Sequence, residues 1–158
     1  PVGMRAAGFF GMEGCDVTIT SRTKERAEAA AKVIEKRFGI KVSGAAGATD
    51  EERVEAVKDA NIVYSAGAIG VQLLPKSGWE NNPKIELLAD VNAQPPMGIE
   101  GVDAMDKGKG HGGKLGYGAL GIGGLKLKLH RECIAKMFES SEGVYDAEEI
   151  YALAKEMA

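Results

Sequence analysis

Two periods of hydrophobic positions take turns along this chain. Ala27, Ala30, Ala31, Ile34 and Phe38 recur at the three-to-four spacing of one helical face, whereas Val17-Thr18-Ile19-Thr20 and Ile62-Val63-Tyr64-Ser65 are short runs rich in β-branched residues. Thr23 stands where a side-chain oxygen can cap the helix, and Gly39 stands just past its last apolar position. Residues 3–13 read as an earlier helix that turns Gly3, Ala6 and Ala7 toward a sheet and ends at Gly14, with a strand over 16–20 behind it. Residues 40–45 make a weak strand. Thr49-Asp50-Glu51-Glu52 then matches a capping box, opening a short helix that carries Val54 and Val57. The run from Ile85 to Val91 is nearly continuous in apolar residues, the pattern of a strand buried on both faces. Strands alternating with helices predict an α/β fold, a Rossmann-like doubly wound parallel sheet.

From Gly101 onward the composition shifts to glycine and lysine, and residues 107–124 read as a long loop, a mobile lid. The stretch Leu125 to Arg131 alternates like a strand, but Leu125, Leu129, Cys133 and Met137 also form one helical stripe. Continuation through Phe138 favours a helix over 125–138. A last helix, 146–157, opens with a box from Asp146 to Glu149 and buries Ile150, Leu153, Ala154 and Met157. A chain of 158 residues with 44% hydrophobic content supplies one ordinary core and no second one, so residues 1–158 are expected to form a single domain.

Charge and cysteines narrow the function classes. Twenty basic and 23 acidic residues give a net charge of -3, and apart from residues 107–114 the basic residues are scattered, which argues against nucleic acid as a partner. No signal peptide or membrane span is recognisable, and a cytoplasmic location is expected. Cys15 and Cys133 lie far apart without metal-ligand neighbours, which argues against a disulfide or a zinc site and fits a reducing compartment. His111 and His130 read as surface or packing residues rather than catalytic bases.

Ligands of open parallel sheets sit beyond the carboxyl ends of the strands, so the strand ends are where chemistry is expected. Pro1-Val2-Gly3 looks like the end of a glycine-rich dinucleotide fingerprint, and a chain opening in mid-motif without Met reads as a fragment. At the tip of the following strand stand Ser21, Arg22, Thr23 and Lys24, with no carboxylate to accept from a ribose 2′-hydroxyl. A planar guanidinium beside an ammonium suits a 2′-phosphate, which favours NADP over NAD. After the strand 62–65, Ala66-Gly67-Ala68-Ile69-Gly70 is a turn of small residues that can lie flat against a ribose or nicotinamide; it suits equally a plain turn into a helix at Leu73-Leu74. After the strand 85–91, Asn92 and Gln94 precede the diproline Pro95-Pro96. They read as amides held for a carboxamide or a pterin ring, or as an ordinary loop.

Four stretches together carry a resemblance: Ser65 to Gly70, Asp90 to Pro96, Gly118 to His130, and the tail Phe138 to Val144. In order and spacing they are similar to the NADP-dependent methylene-tetrahydromethanopterin/methylene-tetrahydrofolate dehydrogenase of methylotrophic bacteria, over the whole chain. In that family the fingerprint reads G-T-G-P-V-G. Pro1, Val2 and Gly3 then correspond to its last three positions, and the first strand and an N-terminal pterin-cleft domain are expected to be absent from this chain. The resemblance implies direct hydride transfer from a reduced pterin to NADP in one-carbon metabolism, a cytoplasmic location and a homo-oligomer. It implies that Gly3 and its neighbours approach the pyrophosphate, that Arg22, Thr23 and Lys24 meet the 2′-phosphate, and that Ala66, Gly67, Ala68 and Ile69 meet the nicotinamide half. Asn92 and Gln94 are assigned to the nicotinamide or the pterin. Lys126, after the glycine run, is the candidate catalytic residue on the pterin side of the cleft. Two alternatives stand beside it. Ser21-Arg22-Thr23 with Arg26-Ala27 is also similar to the N-R-T-x-x-[KR]-A of shikimate dehydrogenases, and a non-catalytic NADP-sensing domain would carry the same strand tip.

Overall fold

The computed structural model describes residues 2–139 and 143–157. Helix α1 (Val2–Met12) runs through the left-handed Gly14 (φ 88°) into strand β1 (Val17–Ser21). Helix α2 (Lys24–Phe38) follows, then β2 (Val42–Ala46), α3 (Asp50–Val57) and β3 (Ile62–Ser65). The expected caps form. Thr23 Oγ1 accepts from the Arg26 N–H, Gly39 closes α2 at φ 67°, and Thr49 with Glu52 makes a reciprocal box on α3. Strands β1 and β2 pair in parallel, Val17 opposite Val42. The face of α2 carrying Ala27, Ala31 and Ile34 is buried; Ala31 and Ile34 pack with Ala7 and Val42, and Met4, Val17, Phe38 and Ile40 lie around them.

The second part of the molecule is a four-stranded sheet in the order β3-β4-β6-β5, built with β4 (Leu87–Asp90), β5 (Lys107–His111) and β6 (Lys114–Gly118). Strand β4 is parallel to both neighbours, and β5 is antiparallel at the edge. Its core is Leu74, Trp79, Ile85, Leu88, Ile99 and Val102, and the Trp79 indole N–H donates to the Glu100 carbonyl at 2.9 Å. The two sheets are separate ladders. Helix α1 bridges them: Phe10 meets the Tyr64 ring edge-on at 6.0 Å, and a Cβ placed on Gly3 would lie 3.5 Å from the Ala66 Cβ. The whole is a mixed α/β, Rossmann-like arrangement of parallel-dominated sheets.

Four expectations are corrected. Residues 107–124 are not a loop or lid: most of the segment is the β5–β6 hairpin, turned at Gly112 (φ 59°) and Gly113 (φ 93°). Two adjacent left-handed residues are what a two-residue hairpin requires. The strands were hidden because Gly108, Gly110, Gly116 and Gly118 leave no side chains to carry a period of two, yet Gly118 is needed, since a Cβ there would collide with the Asp103 carbonyl. No helix forms at Leu73-Leu74. Both N–H groups donate to the Gly98 carbonyl, Leu74 pairs with Ile99 in a parallel bridge, and a single 3-10 turn (Lys76–Gly78) follows. The strand expected over 85–91 shortens to β4, although Ile85 stays in the core. The helix expected over 125–138 is α4 (Gly123–Glu139), and of its stripe only Cys133 is buried, with Leu125 66% and Met137 58% exposed. Among the described elements, α5 is the one that packs substantially against α4.

Helix α5 (Ala147–Glu156) opens on the expected box from Asp146 to Glu149 and buries Leu153. It is tied to the first layer: Arg37 donates to Asp146 and to both oxygens of Glu148, Arg5 donates to Asp146, and the rings of Phe9 and Tyr151 stack 4.2 Å apart. Arg37 holds the Asp146 and Glu148 carboxyls below their ordinary range, through hydrogen bonds before charge.

Candidate functional site

The start of α1, the ends of β1 and β3 and the loop after β4 gather along one edge of the sheets. The reason is topological. Helix α1 runs antiparallel to β1 and delivers Gly3 beside Ala66, immediately after β3, and β4 and β6 run parallel to β3. A glycine at this helix start leaves backbone N–H groups uncovered, a setting that receives anions. Val2 is exposed and Gly3 half-buried there; Pro1 lies outside the described residues.

At the tip of β1, Ser21 is half-buried and Arg22, Thr23 and Lys24 are exposed. Arg22 makes no ion pair among the described residues, Lys24 only skirts Glu28 at 3.8 Å, and the Thr23 hydroxyl is occupied in capping α2. Two cationic heads are therefore available to a phosphate, while Thr23 holds the turn that presents them.

After β3, Ala66 is half-buried and Gly67, Ala68 and Ile69 are exposed, Ile69 at 69%. A Cβ on Gly67 would collide with the Leu73 side chain, so the turn is folded back on its own continuation. After β4 the amides part company. Asn92 is 4% exposed, whereas Gln94 is exposed ahead of the Pro95-Pro96 bond, which is cis. Lys126 is exposed in the first turn of α4. Nothing in the described geometry brings Lys126 into contact with the residues of this edge.

Beneath the edge sits a polar cluster. Asp90, fully buried at the end of β4, accepts from the Asn92 N–H on Oδ1 at 3.0 Å and from the Ile99 N–H on Oδ2 at 2.8 Å. Ser65 Oγ and Asn92 Nδ2 are buried beside it without a hydrogen-bond partner among the described residues. Burial, and then the Asp90 charge, pushes the Tyr64 phenol up. In the sequence Asp90 stood only as part of the strand 85–91 and of the stretch Asp90 to Pro96 that carries the resemblance, and neither it nor Gly98 was assigned a role. Two shallow depressions lie away from this edge, between α1 and α2 around Met4, Val33 and Phe38 and beside α3 around Val54 and Pro75.

No family model matches the chain. It is 62% identical over 146 residues, 92% of its length, to the bifunctional protein MdtA of Methylorubrum extorquens. Over 157 residues, 97% of its length, it is 36% identical to the NAD(P)-dependent methylenetetrahydromethanopterin dehydrogenase of the same organism. This chain is a homologue of both. It spans about half the length of these curated relatives, 51% and 53%. The aligned length takes in nearly the whole chain, the β1 tip and the loops after β3 and β4 included. Among the described residues no helix is long and apolar enough to cross a membrane, and no three His, Cys, Asp or Glu side chains group as metal ligands.

Proposed function

We propose that this chain forms the NADP-binding part of an oxidoreductase that moves a hydride from methylene-tetrahydromethanopterin, or methylene-tetrahydrofolate, to NADP and leaves the methenyl form. The observation that carries this reading is the similarity, over 97% of the chain, to a relative named as an NAD(P)-dependent methylenetetrahydromethanopterin dehydrogenase. The donor set fits the cofactor. Exposed Arg22 and Lys24 stand at the β1 tip without a carboxylate among Ser21 to Lys24, and the uncovered start of α1 lies beside the small-residue turn after β3.

When bound, NADP supplies the hydride acceptor at the nicotinamide ring. The chain's own residues bind and orient. Arg22 and Lys24 take the 2′-phosphate on a turn held by Thr23 and flanked by Ser21. Val2 and Gly3, with Pro1 before them, offer backbone to the pyrophosphate. Ala66, Gly67, Ala68 and Ile69 form a low wall for the nicotinamide half, and the exposed Gln94 offers its amide to the carboxamide or the pterin. Asn92, buried below, shapes that loop from within. Lys126 stands on the pterin side. Hydride transfer abstracts no proton, so the demand on the protein is to hold two rings at reacting distance. The reading carries a reduced pterin as substrate, a cytoplasmic setting and a homo-oligomer.

Two measurements test it. The first is the initial rate of NADP reduction with methylene-tetrahydromethanopterin, methylene-tetrahydrofolate and shikimate, on this chain alone and combined with the remaining half of the MdtA relative. Turnover of a pterin is expected, and turnover of shikimate alone would overturn the assignment. In the second, Arg22→Ala should weaken NADP binding by about 1.5–3 kcal/mol, the scale of a charge-assisted hydrogen bond, and leave NAD unchanged. Equal losses for both cofactors would remove Arg22 from the 2′-phosphate.

A further inference from the structure

The turn after β3 and the loop after β4 are separated in sequence, yet a glycine carbonyl joins them and a carboxylate braces the second. The Gly98 carbonyl accepts from the Leu73 N–H at 2.8 Å and the Leu74 N–H at 2.9 Å, and the Glu100 N–H returns to the Leu74 carbonyl at 3.0 Å. The Asp90 carboxylate closes the other side by accepting from both ends of its own loop, Asn92 and Ile99. These bonds clamp residues 66–74 and 92–99 together over the end of β4.

The chemistry of the clamp is specific to its residue types. A carboxylate is acceptor-only, so both oxygens can face an N–H; an asparagine would turn a donor toward one of them. Asp90 is completely buried, and a buried carboxylate is costly unless its hydrogen bonds compensate. Asparagine would avoid that cost, and it would lose the double acceptance. Gly98 is constrained in a different way. A Cβ there would collide with Ser65 Oγ and come within 3.0 Å of Asn92 Nδ2 and 3.2 Å of Asp90 Oδ1. Those are the buried groups beneath the edge, two of them with a polar atom that has no hydrogen-bond partner among the described residues, and the bare Cα of Gly98 lies directly against them.

We infer that Asp90 and Gly98 are positioning residues that lock the two ring-facing loops into one rigid unit, so that the nicotinamide end of the cofactor meets a preset surface while the adenosine end, at the β1 tip, is held independently. The lock follows from the hydrogen bonds alone; its effect on the cofactor rests on the NADP reading above. The test uses Asp90→Asn, which keeps the shape and removes one acceptor, and Gly98→Ala, which keeps every charge and forces the contact apart.

Hydrogen exchange reads the lock without any ligand. In both variants the amides of Leu73, Leu74, Asn92 and Ile99 should exchange at least about tenfold faster, the scale of one lost hydrogen bond, while those of α2 and β2 keep their protection. Binding reads the consequence. NADPH should weaken about tenfold in both variants, whereas 2′,5′-ADP, which lacks the nicotinamide half, should bind as in the parent chain. Unchanged exchange at the four amides would overturn the lock. Loss of protection throughout the chain in both variants would do the same, because it would make the residues general supports of the fold. Equal weakening of NADPH and 2′,5′-ADP would overturn the positioning role. A parent chain that binds neither compound, yet shows the exchange difference between parent and variants, would retain the lock and dismiss the NADP reading.

Discussion

In the half built from α1, β1, α2 and β2, close packing comes from small side chains: Ala7, Ala27 and Ala31 are buried, and a Cβ on Gly44 would lie 2.6 Å from the Glu28 backbone nitrogen. In the half built from β3, β4, β6 and β5, large side chains fill the core and buried carboxylates organise the loops. Asp90 holds the loop after β4; Asp106, 3% exposed, accepts from the Asp103 N–H at 2.9 Å and pairs with the His111 ring at 2.6 Å. One half is fixed by fit between regular elements, and the other by polar pins between irregular ones. Pins of this kind permit glycine-rich, weakly periodic segments to take a single conformation, and a ligand edge needs such segments.

The largest test of this contrast is removal of a core side chain from each half. Leu88→Ala and Ile34→Ala should each cost about 3–4 kcal/mol, since both residues are almost completely buried. If the halves unfold together, both variants lower one shared thermal transition by similar amounts; two transitions moving separately would show that the halves are independent units. Next comes acid. Burial alone would raise the Asp106 pKa, but the Asp103 N–H, the His111 ring and the Lys109 ammonium outweigh it and lower it below the ordinary value of 3.8. A lowered carboxylate pKa means that the stability it contributes is complete above the unfolded value and is lost as the pH falls through the folded one. Asp106→Asn should cost about 2 kcal/mol at neutral pH, the scale of a buried acceptor replaced, and should flatten the acid limb of a stability-against-pH curve. An unaltered limb would remove Asp106 from the pins. The smallest effect belongs to the first half: Thr23→Ala should lower stability by about 1 kcal/mol through loss of the α2 cap, measured by chemical denaturation.

The contrast also explains what the sequence made legible. Strands β1 and β3, helix α2 and the boxes on α3 and α5 were readable within a residue or two because periodicity and caps are local signals, written in residues such as Thr23, Gly39, Thr49 and Asp146. Strands β5 and β6 were not: glycines carry much of their backbone pairing, and the same glycines made residues 107–124 read as a loop. The exposed part of the candidate site was legible as residue types at strand ends. Its support was not, since the bond from Leu73 to Gly98 joins positions whose proximity only the fold creates.

Among the described residues the four-stranded sheet ends on β3 at one side and on β5 at the other, and the two are dressed differently. The β5 side carries Lys107 and Lys109 and an irregular register between them, and its partner β6 runs antiparallel. Charge and a bulge are how an edge is kept from recruiting another chain. The β3 side carries Ile62, Val63, Tyr64 and Ser65, with no charge, no proline and Ile62 41% exposed. The capacity for further backbone pairing therefore lies on the β3 side, where an added strand would be received, and Ile62→Lys is the substitution that would weaken that reception.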